Sequence, residues 1–295
     1  MATLRDIRKK IKAIQSTKKI TKAMKMVAAA KLRKVQDRML NFRPYATSMQ
    51  TVLYSLARVA EREIHPILAV RPRKTVEVLV MTSDRGLCGA FNTNILRSAT
   101  QYIDSLKREG FELSFSAVGR KSRDYFRRRS LTTRKSWVGL SGRITYTDAQ
   151  EIATDIIENY TNETIDEVLL IYNEFKSLAT QKLSIVKLLP IVEMEAGGAA
   201  TEHAALYGDF LYEPSAEILF DRLLPKYIEI QVYRALLESS AAEEAARMSA
   251  MENASKNCDE LITKTTLIAN KLRQAGITKD LMDIVGGVEA LKAKQ

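Results

Sequence analysis

Apolar residues recur at alternating spacings of three and four at both ends of this chain, and the two patterns predict two long helices. At the start, Leu4, Ile7, Ile11 and Ile14 set a seam that Ala28, Leu32, Val35, Met39 and Phe42 continue in the same heptad phase. Between them that phase carries Lys18, Thr21 and Lys25, while the apolar residues shift to Ile20, Met24 and Val27, so a local disturbance of the seam is expected. Pro44 is expected to kink or interrupt the helix, and helical spacing resumes through Val52, Leu53, Leu56 and Val59. At the other end, from about Ser215 to Gln295, good helix formers dominate and Pro225 is the single proline. Ala254, Cys258, Leu261, Thr265, Ile268, Leu272 and Ala275 form the expected seam there, with small residues at several positions.

Between the helices the period changes. Val76 to Met81 is a buried-strand run, Phe111 to Val118 alternates, and further strands are expected near 136–138, 168–172 and 183–189. Helical stretches separate them, one of them over 147–160, which predicts an α/β domain with a largely parallel sheet. Asn92 stands where it can cap the helix carrying Ile95, Leu96 and Ile103. Residues 196–205 read as a small-residue linker. The expected organisation is an N-terminal coiled-coil helix over 1–62, a Rossmann-like α/β domain over 63–207 and a C-terminal coiled-coil helix over 208–295. Antiparallel pairing of the terminal helices is the economical arrangement, because the chain returns after the insert.

Charge sharpens this picture. The formal net charge is +11, and residues 1–38 account for all of it, with thirteen Lys and Arg against two Asp. Residues 229–260 hold seven acidic residues against three basic ones, so flanking ion pairs favour the partnering of the two helices. The second helix is longer than the first. The stripe Ile277, Leu281, Ile284, Val288 and Leu291 therefore has no partner within the chain, and an exposed apolar stripe marks an interaction site.

Candidate chemistry is sparse. Two cysteines, Cys88 and Cys258, and two histidines, His65 and His203, give neither metal spacing nor a disulfide framework. No run approaches the ~18 apolar residues of a membrane span. The loop Ser83 to Asn92 lies between a strand and a helix, where phosphates often bind, yet it is neither Gly-x-Gly-x-x-Gly nor a Walker loop. A structural turn is the better reading. The basic face of residues 5–38 allows an alternative, a coiled-coil nucleic-acid binder, although no aromatic precedes Phe42.

Four ordered motifs resemble one family across essentially the whole chain. They are Ile20-Thr21-Lys22-Ala23-Met24-Lys25-Met26-Val27-Ala28-Ala29 with Arg43-Pro44-Tyr45; Ser83-Asp84-Arg85-Gly86-Leu87-Cys88-Gly89; Leu211-Tyr212-Glu213-Pro214 with Ala245-Ala246-Arg247-Met248; and Arg273-Gln274-Ala275-Gly276-Ile277-Thr278 leading to Ile284-Val285-Gly286-Gly287. The family is the γ subunit of the F-type ATP synthase, bacterial type. The resemblance implies a central-stalk rotor that couples proton flow to ATP synthesis and hydrolysis on an α/β hexamer, with no catalytic residue, cofactor or metal of its own. It implies partners: α and β subunits, ε and the c-subunit ring, with no nucleic acid. Contacts with the α/β ring are implied for Met24, Lys25, Arg273, Gln274, Ile277, Thr278, Leu281, Ile284 and Val285. Contacts with the c ring and ε are implied for Phe210, Tyr212 and Glu213. The implied location is peripheral, on the cytoplasmic face of the bacterial inner membrane.

Overall fold

The computed structural model describes residues 3–59, 65–178, 180–191, 213 and 215–292. The elements are α1 (Leu4–Val59), a 3-10 turn (Pro66–Leu68), β1 (Thr75–Met81), α2 (Phe91–Arg108), β2 (Glu112–Val118), α3 (Arg120–Arg128), β3 (Lys135–Trp137), α4 (Tyr146–Thr161), β4 (Glu167–Phe175), β5 (Gln181–Leu189) and α5 (Ala216–Lys292). Two compact units divide the chain. The larger comprises residues 28–247, and the smaller comprises 1–27 with 248–295. The long terminal helices pair with each other, and the α/β domain is inserted between them in sequence, as the periodicity predicts.

In the larger unit the five strands lie in the order β3-β2-β1-β4-β5. All pairs are parallel except β4 with β5. Alternation along β1 explains why its sequence is apolar throughout. Val76, Val78 and Val80 face α2 and α3, where they meet Ile95, Ala99 and Phe126. Leu79 and Met81 face the opposite way, among Ile152 and Ile156 of α4 and Ile228 and Leu236 of α5. A strand covered on both faces has no solvated side to carry polar residues. Glu77 is the exception: it is fully buried, and Arg134 reaches it from the start of β3 with two donors, at 3.1 and 3.0 Å. Leu32, Val35, Leu53 and Leu56 of α1 complete the second core.

Pro44 does not interrupt α1, which runs unbroken through it. Proline forfeits one helical hydrogen bond. Side chains on either side hold the helix nonetheless, because Phe42 packs edge-on to Tyr233 at 4.8 Å and Leu53 and Leu56 are buried. The start of α2 also differs from expectation. The helix begins at Phe91 with no side-chain cap. The Asn92 side chain instead turns back into the preceding loop, where its Oδ1 accepts the Ser83 N–H at 3.0 Å.

In the smaller unit, α1 and α5 run antiparallel. Lys18 pairs with Asp259, the Thr21 and Ser255 hydroxyls meet at 2.9 Å, and Lys25 lies 3.2 Å from Glu252. Thr21, Cys258, Thr265 and Ala269 are buried between the helices. The α1 seam keeps one phase throughout, so the expected disturbance is chemical rather than geometric: polar residues occupy seam positions and find polar partners. On α5 the seam is rotated from the expected one. Cys258 and Thr265 are in it, but Leu261, Ile268 and Leu272 are exposed, and Ile262 and Ala269 take the inner positions.

Candidate partner-contact surfaces

Two places are the candidates for a functional surface: the apolar residues that the helix pair leaves uncovered, and the mouth of the α/β domain at the C-terminal ends of its parallel strands.

The first follows from register. Carrying the observed pairing back to the start of α1 brings Leu4 level with Leu272. Beyond that level every residue of α5 through Gly287 is exposed. Ile277 is 59% exposed and Ile284 69%, and Leu281, Met282 and Val285 are also open. Arg273, Gln274 and Thr278 lie on the same stretch. The side chains of Val288 and Leu291 lie outside the described residues. A second uncovered set lies on α1. With Lys18, Thr21 and Lys25 turned inward, Ile20, Met26 and Val27 are exposed, at 60%, 62% and 56%. Met24 and Lys25 beside them are half-buried. Sequence periodicity finds Ile20 and Val27 but reads them as a displaced seam. The signal that separates the two readings is the acidic and hydroxyl complement on α5, namely Asp259, Ser255 and Glu252. Phe210 and Tyr212 lie outside the described residues, and Glu213 is exposed.

The basic face of α1 is partly spent within the chain. Lys18, Lys25 and Lys31 pair with Asp259, Glu252 and Glu244 of α5. These are three of the thirteen Lys and Arg of residues 1–38.

At the mouth of the sheet, the crevice where α/β folds bind phosphates is filled by the chain itself. The Asp84 carboxylate accepts the backbone N–H of Arg120 at the N-terminus of α3 at 3.0 Å, and those of Gly139 at 3.0 Å and Ser141 at 3.1 Å. A helix N-terminus favours an anion, and here the anion is a side chain. Burial pushes the Asp84 carboxyl up, but the Gly139, Ser141 and Arg120 N–H groups outweigh it and hold it below the usual carboxylate range. Gly119, at φ 93°, passes so close to Thr82 that a Cβ would stand 2.2 Å from the Thr82 carbonyl oxygen. Cys88 is buried, and burial pushes its thiol up, which argues against a nucleophile. Loop 83–92 is therefore a structural turn. Among the described residues, no cluster of His, Cys, Asp and Glu has the makings of a metal site.

The helix pair leaves apolar residues exposed, and the Asp84 carboxylate closes the mouth of the sheet. A family profile described as ATP synthase matches residues 3–291. The ATP synthase gamma chain of Anaeromyxobacter sp. (strain K) is 48% identical over 295 residues, covering 99% of this chain and 100% of that one. The gamma chain of Pelotomaculum thermopropionicum is 47% identical over 292 residues, with 99% and 100% covered. A chain from the central stalk and c-ring structure of the Tetrahymena thermophila mitochondrial ATP synthase aligns with a TM-score of 0.58 at 29% identity, over 80% of this chain and 99% of that one. A chain of the Euglena gracilis mitochondrial ATP synthase shares the fold, with a TM-score of 0.68 at 22% identity over 98% and 95%. The chain belongs to the ATP synthase gamma-chain family.

Proposed function

We propose that this chain turns as the central shaft within a ring of α and β subunits, with ε and a c-subunit ring at its α/β domain. As a gamma chain it is the central-stalk subunit of an F-type ATP synthase, coupling rotation to catalysis, and is itself non-catalytic. The observation that carries the reading is the run of exposed apolar residues on α5 past the end of α1. An apolar surface suits a rotating contact, because apolar attraction is non-directional and survives a change of angle. Arg273, Gln274, Ile277, Thr278, Leu281, Ile284 and Val285 are the proposed contacts of the shaft end with the ring. Met24 and Lys25, beside exposed Ile20 and Val27, are proposed as a second contact with it. Phe210, Tyr212 and Glu213 are proposed to face the c ring and ε.

The proposed location is peripheral, at the cytoplasmic face of a bacterial inner membrane. No helix among the described residues is long and apolar enough to cross a membrane, in keeping with attachment through partners. Affinity purification of the tagged chain from its native membranes tests the assembly. Recovery of α, β, ε and c subunits supports it, and recovery of the chain alone or with unrelated partners would refute it.

A further inference from the structure

Most of the contact between α5 and the α/β domain is apolar, and apolar packing alone offers weak resistance to a helix turning about its axis. One place is different. The Ser141 hydroxyl, in the loop after β3, accepts the Asp84 N–H at 3.1 Å and donates to Glu243 Oε2 on α5 at 3.4 Å. Arg247, one turn further along α5, donates to Glu243 Oε1 at 2.6 Å and reaches Glu244 Oε1 at 2.8 Å. Glu244 Oε1 in turn lies 3.8 Å from Lys31 Nζ on α1. Glu243, Glu244 and Arg247 are 5%, 4% and 9% exposed, so the links among these three are shielded from competing water, whereas Lys31 is partly open to it.

The chain of contacts thus begins at the Asp84 plug, which already ties together the loops after β1, β2 and β3, passes through Ser141 to one side of α5, and leaves the other side toward α1. A hydrogen bond on one side of a helix and an ion pair on the other oppose its rotation about its own axis. Nothing in the plug or in the apolar core requires two adjacent carboxylates to be buried on this turn of α5, at the cost of desolvation.

We propose that Ser141, Glu243, Arg247 and Glu244 form a torsional lock, through which rotation of the α/β domain and rotation of the shaft helices are kept in step. These are positioning residues, acting on coupling through the stiffness of the rotor. The proposal rests on the rotor reading above.

The test uses the complete complex of ring and shaft, with a probe fixed to the α/β domain and ATP as fuel. Its readouts are the angular spread of the probe during pauses and the ATP hydrolysis rate. Ser141→Ala removes one arm of the lock and a single oxygen atom. Cutting this arm is expected to widen the angular spread of the probe while leaving the hydrolysis rate unchanged. Ser141→Thr, which keeps the hydroxyl, is expected to restore the parent spread. Glu243→Gln, which weakens the link to Arg247, is expected to widen it as well. Amide exchange in the isolated chain checks that both variants fold, and a variant that does not fold is replaced in the comparison by the other. Normal rotation in the parent with unchanged spread in the folded variants would overturn the lock. Absence of rotation in the parent would instead overturn the rotor reading.

Discussion

Asp84 shows how a single side chain sets what a loop does. Its carboxylate gathers three backbone N–H donors from two other loops, one of them at the N-terminus of α3, where a helix favours an anion. Replacing it with Asn keeps the shape but removes the charge and at least one acceptor. Asp84→Asn is therefore expected to cost about 1.5–3 kcal/mol in a urea titration at pH 7, the range for hydrogen bonds to a charged group. The pH dependence has a definite sign. The folded carboxyl titrates below its unfolded value of about 3.9, so its stabilisation is complete above that value and is lost as pH falls through the folded one. The parent should lose more stability than Asp84→Asn between neutral and acid pH. Equal losses would show that Asp84 contributes nothing to the acid transition.

The two long helices show the same charged residues doing different work at different depths. Lys18 and Asp259 meet at the edge of the seam, with side chains 38% and 55% exposed, so Lys18→Ala is expected to cost less than about 1 kcal/mol. Arg247 lies between two buried carboxylates, and Arg247→Ala leaves both without their closest cation, at an expected cost of about 3–5 kcal/mol. Thermal or urea unfolding of the two variants side by side checks the contrast, and equal costs would contradict it. This contrast also marks where the sequence was legible. The strands, the parallel sheet and the antiparallel helix pair follow from periods of two and of three and four. Periodicity alone misassigned Ile20, Leu261 and Ile268, which are exposed, while Thr21, Ile262 and Ala269 take the inward places. The Asp84 plug was invisible for another reason: its donors come from residues 120, 139 and 141, which only the folded sheet brings together. Pro44 does not interrupt α1 because the cost of one lost hydrogen bond is offset by packing that the local sequence does not display.

For the molecule as a whole, the exposed end of α5 separates folding from assembly. Removing residues 276–295 should leave the melting temperature of the isolated chain nearly unchanged, since Ile277, Leu281 and Ile284 are exposed. The same truncation should lower the yield of complex with the α/β ring, where each of those side chains contributes about 1.5–3 kcal/mol if fully covered. A large fall in melting temperature with normal assembly would place the stripe in an internal core instead. Rotation itself is the most direct measurement of the central claim. The chain is assembled with its own α, β and ε subunits, a probe is fixed to the α/β domain, and ATP is added. Stepwise turning of the probe in one direction, driven by hydrolysis on the ring, is the predicted result. Hydrolysis by a ring that has incorporated the chain while the probe stays still would contradict it.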